Sequence, residues 1–138
     1  MKTLLFSFLI LISFVCRSQN YFNGKMYIVI FDENMKVISE NPFGRNVTLK
    51  YDEFFKTYSG YIPETENGGW SSFDLSFVQA LKSGNFRYKE EKPKGTFYYT
   101  LINDLENGNL VWIDERIYTN DHGISLYSAF KITGLKLK

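Results

Sequence analysis

GTFYYTLIND (residues 95–104), LVWIDERIY (110–118) and ISLYSAFKI (124–132) are three runs rich in aromatic and β-branched residues, and they decide the fold class. Such residues suit a pleated, half-buried surface. The segments that separate the runs, LENGN and TNDHG, carry Gly108 and Gly123 among Asn and Asp, which are the residues of hairpin turns. The last third of the chain therefore predicts three strands of an antiparallel meander.

Similar short runs precede this meander, separated by polar turns. The predicted strands are MYIVIF (26–31), KVIS (36–39), VTLKY (47–51), FFKTYSGYI (54–62) and WSSFDLSF (70–77). Pro42 and Gly44 predict a break in the chain between the second and third of them, because proline lacks an amide donor. The helix formers in FVQALKSGN (77–85) predict one helical turn that ends at Gly84.

This pattern predicts an all-β fold in a single domain, residues 19–138, with about eight or nine short strands. We favour an up-and-down barrel of about eight strands over a two-sheet sandwich, because closure removes the exposed strand edges. The chain is comparable to lipocalins in architecture only. Where those proteins have Gly-x-Trp near the first strand, this chain has Gly24-Lys25-Met26, so the analogy assigns no family and no function.

Residues 1–18 have the build of a secretory signal peptide. Lys2 precedes an apolar run over residues 4–15, which is too short to span a bilayer as a helix. Cys16 and Ser18 supply the small residues that a signal peptidase needs, so we expect a mature chain that begins at Gln19 and is secreted or periplasmic. Lipid attachment at Cys16 is the less favoured alternative, because Val15 does not suit a lipoprotein cleavage site.

Charge and cysteine content exclude several classes of function. The full chain carries a formal charge of +1, and loss of Lys2 and Arg17 with the leader leaves 14 basic against 15 acidic residues. A protein without clustered positive charge is not expected to bind nucleic acid. Since Cys16 is the only cysteine, the mature chain has neither a disulfide nor a catalytic thiol.

Three residues are the candidates for ligand binding, namely Glu115, Trp70 and Tyr99. Alternation along LVWIDERIY makes the face of Val111, Ile113, Glu115 and Ile117 the more apolar one. We therefore expect that face to point inward and to carry Glu115 into the barrel, where a carboxylate needs a partner or a function. Two alternatives remain: Glu115 lies near the barrel mouth and is solvated, or the opposite face is the interior and Asp114 pairs with Arg116. Trp70 follows two glycines and offers a ring for stacking, and Tyr99 belongs to the aromatic supply of the last meander.

Other constellations carry little chemistry. His122 is the only histidine and falls in a predicted turn, so a catalytic triad or a zinc site is not expected. The run from Asp104 to Glu115 resembles a calcium loop, but its glycine stands fifth instead of sixth. We expect no metal and no cofactor.

The sequence favours a non-enzymatic, exported β-barrel that binds a small, largely apolar ligand inside the barrel or at its mouth. The rival interpretation is a module with a filled core that binds another envelope protein. The weakest interpretation is a hydrolase in which Asp74 and Glu115 act as an acid/base pair. A hollow or filled interior is the observation that separates the first two.

Overall fold

The computed structural model describes residues 18–138. The predicted signal peptide, its peptidase site and the lipid-anchor alternative fall almost entirely on residues 1–17, outside the described part. The described chain is built of strands and one short 3₁₀ helix at Leu105–Asn107. The strands are β1 (Ser18–Asp32), β2 (Val37–Asp52), β3 (Thr57–Ile62), β4 (Glu64–Thr65), β5 (Ser71–Ala80), β6 (Phe86–Lys92), β7 (Gly95–Asp104), β8 (Asn109–Asp114), β9 (Tyr118–Thr119), β10 (Ser125–Thr133) and β11 (Lys136–Leu137).

Eight of these strands close into an antiparallel barrel, which confirms the predicted architecture. Their order around the barrel is β1–β2–β3–β5–β6–β7–β8–β10, and β10 returns to β1. Each strand pairs with its neighbours along the chain, as an up-and-down barrel requires. The short strands β4, β9 and β11 pair with β2, β10 and β1, respectively.

The predicted break at Pro42 is wrong, because β2 runs without interruption from Val37 to Asp52. Pro42 lies opposite Tyr27 of β1, next to a shift in register that leaves Phe43 without a partner on β1. Proline is tolerated within strands at such bulges, so β2 continues through Pro42. Gly44 permits a close approach instead of ending the strand, since a Cβ on it would lie 2.3 Å from Cγ2 of Ile62.

The predicted helical turn before Gly84 is also wrong. β5 continues to Ala80, which pairs with Phe86 of β6. The chain then reverses in a tight turn, where the Leu81 N–H donates to the Asn85 carbonyl at 2.9 Å and Gly84 has a φ of +89°. Pairing within the sheet satisfies the backbone groups that a helix would have used, so it overrides a weak local propensity.

The interior of the barrel is filled by side chains, and six of the fifteen residues in its main buried cluster are aromatic. The ring of Trp112 lies 4.6 Å from that of Phe73 on the far side of the barrel and 5.5 Å from that of Phe130. Asn103 of β7 donates to the Tyr58 hydroxyl of β3 at 2.8 Å, which also bridges the lumen. Phe73, Trp112 and Tyr58 are at most 6% exposed. This core leaves the two ends of the barrel as the places for a site.

Candidate functional site

The inward face of β8 carries Leu110, Trp112 and Asp114, all buried, so the expectation that Glu115 points inward is wrong. Glu115 lies on the outside and forms a two-point ion pair with Arg87, with oxygen–nitrogen distances of 2.7 and 2.9 Å. The alternative pairing of Asp114 with Arg116 is the one that forms.

The apolar residues of the other face pack on the outer surface of the barrel, which explains the error. Val111 and Ile113 lie against a cluster formed by Val29, Phe31 and Ala129 of the neighbouring strands. In an antiparallel sheet, apolar residues normally point inward and polar residues outward, so the face of a strand with more apolar residues is assigned to the interior. That assignment fails for β8, because its outer face is apolar as well.

Asp114 is buried at the end of β8 that faces the turn 93–94 between β6 and β7, an end that we call the β6–β7 end. Its two carboxylate oxygens accept hydrogen bonds from the Arg116 guanidinium, at 3.0 Å from Nε and 2.5 Å from a terminal nitrogen. The same carboxylate accepts the Arg116 backbone N–H at 2.9 Å. These bonds stabilise the charged guanidinium and raise the pKa of Arg116.

A second buried carboxylate, Glu90 on β6, lies at the same end. It is 6% exposed and forms an ion pair with Lys92 at 3.1 Å. Its other oxygen accepts the backbone N–H of Asp74 at 3.2 Å. The pairing between β5 and β6 ends at Ser76 and Lys89, so this carboxylate replaces a main-chain acceptor where the two strands separate.

Tyr99 lies between these two acids, on the inward face of β7. It is directly opposite Asp114 of β8 and, on its other side, opposite Tyr88 of β6. The hydroxyl is removed from water and stands near two negative charges. Burial, followed by the charges of Glu90 and Asp114, raises the pKa of Tyr99 to about 12, so the phenol is neutral at physiological pH.

A pocket of about 610 Å³ opens at the β6–β7 end above this arrangement. Its volume is within the range of small-molecule sites, which are mostly apolar and contain a few polar groups. Aromatic rings form much of its wall, and three cationic side chains surround them. The lining residues are Lys92, Pro93, Lys94, Phe97, Tyr99, Asp114, Arg116, Tyr118, Ser128 and Phe130.

Of the three predicted site residues, Tyr99 alone lines this pocket. Trp70 is 69% exposed in the connection between β4 and β5, and its ring contacts Tyr61 at 6.0 Å. Glu115 is on the outer surface with Arg87. The structure therefore separates the three residues instead of bringing them together.

Sequence reasoning missed Phe97, Arg116 and Lys94 as lining residues. Phe97 could have been found, because alternation along β7 places it on the same face as Tyr99. Arg116 could have been inferred from its pairing with Asp114, once the face of β8 that points into the barrel was known. Lys94 could not have been found, since its position depends on how the turn between β6 and β7 meets β8 and β10.

The carboxylates proposed for hydrolysis do not converge. Asp74 is exposed on β5 and Glu115 follows β8, and the strands β6 and β7 lie between them. Three strand spacings amount to about 14 Å along the barrel wall. This placement offers no acid/base pair for glycosidic chemistry.

The chain matches no family model, and no curated protein or solved structure is significantly similar to it. Among residues 18–138, no helix has the length and apolar character needed to cross a bilayer. Within the same range, no group of three or more His, Cys, Asp or Glu side chains is arranged to hold a metal ion.

Proposed function

We propose that the protein is a non-enzymatic β-barrel that binds a small, largely apolar ligand in the pocket at the β6–β7 end. The observation that carries the proposal is the meeting of Phe97, Tyr99 and Phe130 in one open pocket of about 610 Å³. Rings on β7 and β10 give an apolar ligand a large contact area with little loss of side-chain freedom, because the sheet already holds them.

The filled interior limits where such a ligand can bind. Phe73, Trp112 and Phe130 form a continuous stack across the lumen, so the ligand would rest on this stack instead of entering the barrel. Phe130 belongs both to the stack and to the pocket wall. A bound ligand would therefore change the surroundings of Trp112, which gives an intrinsic signal for binding.

Binding is tested with purified residues 19–138, by thermal-shift screening of fatty acids and aromatic compounds and by tryptophan fluorescence. We expect a stabilising ligand whose effect is lost in Phe97→Ser, since that change removes a ring of the wall. Trp70→Ala is the matched control, because it removes an exposed ring outside the pocket. Equal loss in both variants, or no response from any compound, would contradict the proposal.

We further propose that the chain acts outside the cytoplasm, as a secreted or periplasmic protein. The support is the leader signature of residues 1–18, with its short apolar run and the small residues Cys16 and Ser18. N-terminal sequencing of the exported protein should give a start at Gln19. A blocked and lipid-modified Cys16 would contradict cleavage before Gln19 and would place the exported domain on a membrane surface.

A second candidate function, binding to an envelope protein, is favoured by the filled interior and by one exposed feature at the opposite end. Phe54 and Phe55 are 65% and 70% exposed in the turn between β2 and β3, and their rings meet edge to face at 4.9 Å. The Asp52 carboxylate accepts both of their backbone N–H groups and fixes the turn. A stoichiometric partner, retained by the native chain and lost in Phe55→Ser, would favour this function over ligand binding.

A further inference from the structure

The polar groups at the rim of the pocket are unequally divided between donors and acceptors. Both acids are buried, and each is already engaged by protein groups: Asp114 accepts hydrogen bonds from Arg116, and Glu90 accepts the Asp74 backbone N–H and forms an ion pair with Lys92. The cations remain accessible, since the side chains of Arg116 and Lys92 are 54% and 47% exposed. A polar ligand group at this rim would therefore meet mainly N–H donors.

The formal charges at the rim are also unbalanced. Lys92, Lys94 and Arg116 supply three positive charges, against the two negative charges of Glu90 and Asp114. Two of the cations are engaged with these acids, whereas Lys94 has no ion pair with another residue of the described chain. One positive charge is thus left over beside a partly desolvated surface, where it attracts an anion more strongly than in open water.

The cations also lie next to the apolar part of the pocket. The Arg116 guanidinium is 4.5 Å from the centre of the Phe97 ring, and the Lys92 ammonium is 5.7 Å from it. Contact with the ring limits the motion of both cations. A ligand whose apolar body lies on Phe97 and Phe130 would consequently bring an attached polar group to the three cations.

We infer that the ligand is an amphipathic anion, with a compact apolar body and one anionic oxygen group, a carboxylate or a phosphate monoester, at the rim. The rings at Phe97 and Phe130 bind the body, and Lys94, Arg116 and Lys92 bind the oxygens. Arg116 donates from the terminal nitrogen that Asp114 leaves unused. This inference rests on the proposed function and adds the chemical class of the ligand.

Matched ligands of equal chain length test the inference by isothermal titration calorimetry: octanoate, octyl phosphate and the uncharged octanol. With the native mature chain, we expect at least one of the two anions to bind about tenfold more tightly than octanol, and its affinity to fall as salt is added. The tighter of the two anions identifies the head group. Equal affinity for all three would overturn the inference but would leave the proposed function in place.

Lys94→Gln is the informative variant, because this side chain is exposed and has no ion-pair partner within residues 18–138 whose loss would disturb the fold. We expect it to weaken binding of the preferred anion about three- to tenfold and to leave octanol unchanged. Lys25→Gln, an equal change of charge on exposed β1 surface outside the pocket, is the control. An anion affinity that falls equally in both variants would overturn the inference, since it would reflect net charge alone. If neither the anions nor octanol bind the native chain, the proposed function fails with it.

Discussion

Substitution of Gly60 by alanine should destabilise the barrel, although it adds one methyl group to a strand. Gly60 of β3 lies directly opposite Phe73 of β5, and the phenyl ring covers it. A Cβ at this position would lie 2.1 Å from Cε1 and from Cζ of that ring. Ordinary contact begins near 3.4 Å, so the ring would have to retreat by about 1.3 Å. Trp112 packs on its other side, with the ring centroids 4.6 Å apart, so there is little room to retreat.

The magnitude follows from two opposing effects. Overpacking a dense core costs about 1–3 kcal/mol. Alanine in a strand recovers about 0.5–1 kcal/mol relative to glycine, because the unfolded chain loses less freedom. The free energy of unfolding of Gly60→Ala should therefore fall by about 1–2 kcal/mol, as measured by urea denaturation. The displaced ring should also shift Trp112 and, through it, Phe130 in the pocket wall.

Two comparisons isolate the clash. Gly69→Ala is the matched control, because its Cβ would meet nothing closer than Oγ1 of Thr65 at 3.9 Å, and it should leave stability unchanged. Phe73→Leu removes Cε1 and Cζ, the two ring atoms at 2.1 Å, and keeps a δ carbon like the one at 2.8 Å, so Gly60→Ala should cost clearly less in that background. The difference between the two backgrounds measures the coupling. Equal losses in both backgrounds, or an unaltered stability of Gly60→Ala alone, would refute the explanation.

Three further predictions concern the charges and the polar groups. Burial raises the pKa of Tyr58 and of Tyr99 to about 12, whereas an exposed tyrosine has a pKa near 10. The unfolded chain therefore loses these protons first, so the free energy of unfolding should be constant below about pH 10 and fall between about pH 10 and pH 12. A series of urea titrations that shows no change over this range would contradict the prediction. Asp52→Ala removes the acceptor for two turn N–H groups and should cost about 1 kcal/mol by the same assay. Glu115→Gln should leave stability unchanged, because its pair with Arg87 is at the surface, and a clear loss would show that this pair matters.

Much of the fold could be predicted because its information is local. Gly108 and Gly123 mark the turns of the last meander, and both have the positive φ that such turns need. Closure is different, since it depends on β1 pairing with β2 on one side and with β10 on the other, across almost the whole described chain. The local sequence pattern does not show that pairing. Closure of the barrel was predicted instead from the general cost of exposed strand edges.

The errors share a cause, which is that tertiary pairing decides what local preference leaves open. Pro42 suggested a break, but a bulge accepts it. The helix formers before Gly84 suggested a helix, but β6 pairs with them. The site shows the same limit, because Tyr99 was within reach of an argument from alternation and Lys94 was not. The position of Lys94 depends on the way four strands meet at one end of the barrel.

The charged residues at the rim of the pocket follow a sequence pattern, which can be recognised only when the face of each strand that points into the barrel is known. Glu90 with Lys92, and Asp114 with Arg116, are acid–base pairs spaced two residues apart, so each pair shares one face of its strand. At the end of a strand, the first residue can be buried while the longer cation extends from it toward water, which offsets the cost of burying the acid.

The same spacing also occurs on the outside of the barrel. Lys89 and Glu91 form such a pair at 3.0 Å, and both are partly or largely exposed. Spacing alone therefore does not identify a buried acid. The neighbouring residues on the same face identify it. Tyr88, two residues before Glu90, is 3% exposed and belongs to the core, so Glu90 is the next inward residue and lies at the barrel mouth. An inward aromatic residue, an acid and a cation, each two residues after the one before, mark the change from a filled core to a charged rim. Trp112, Asp114 and Arg116 repeat this order at the end of β8, with Arg116 just beyond the strand.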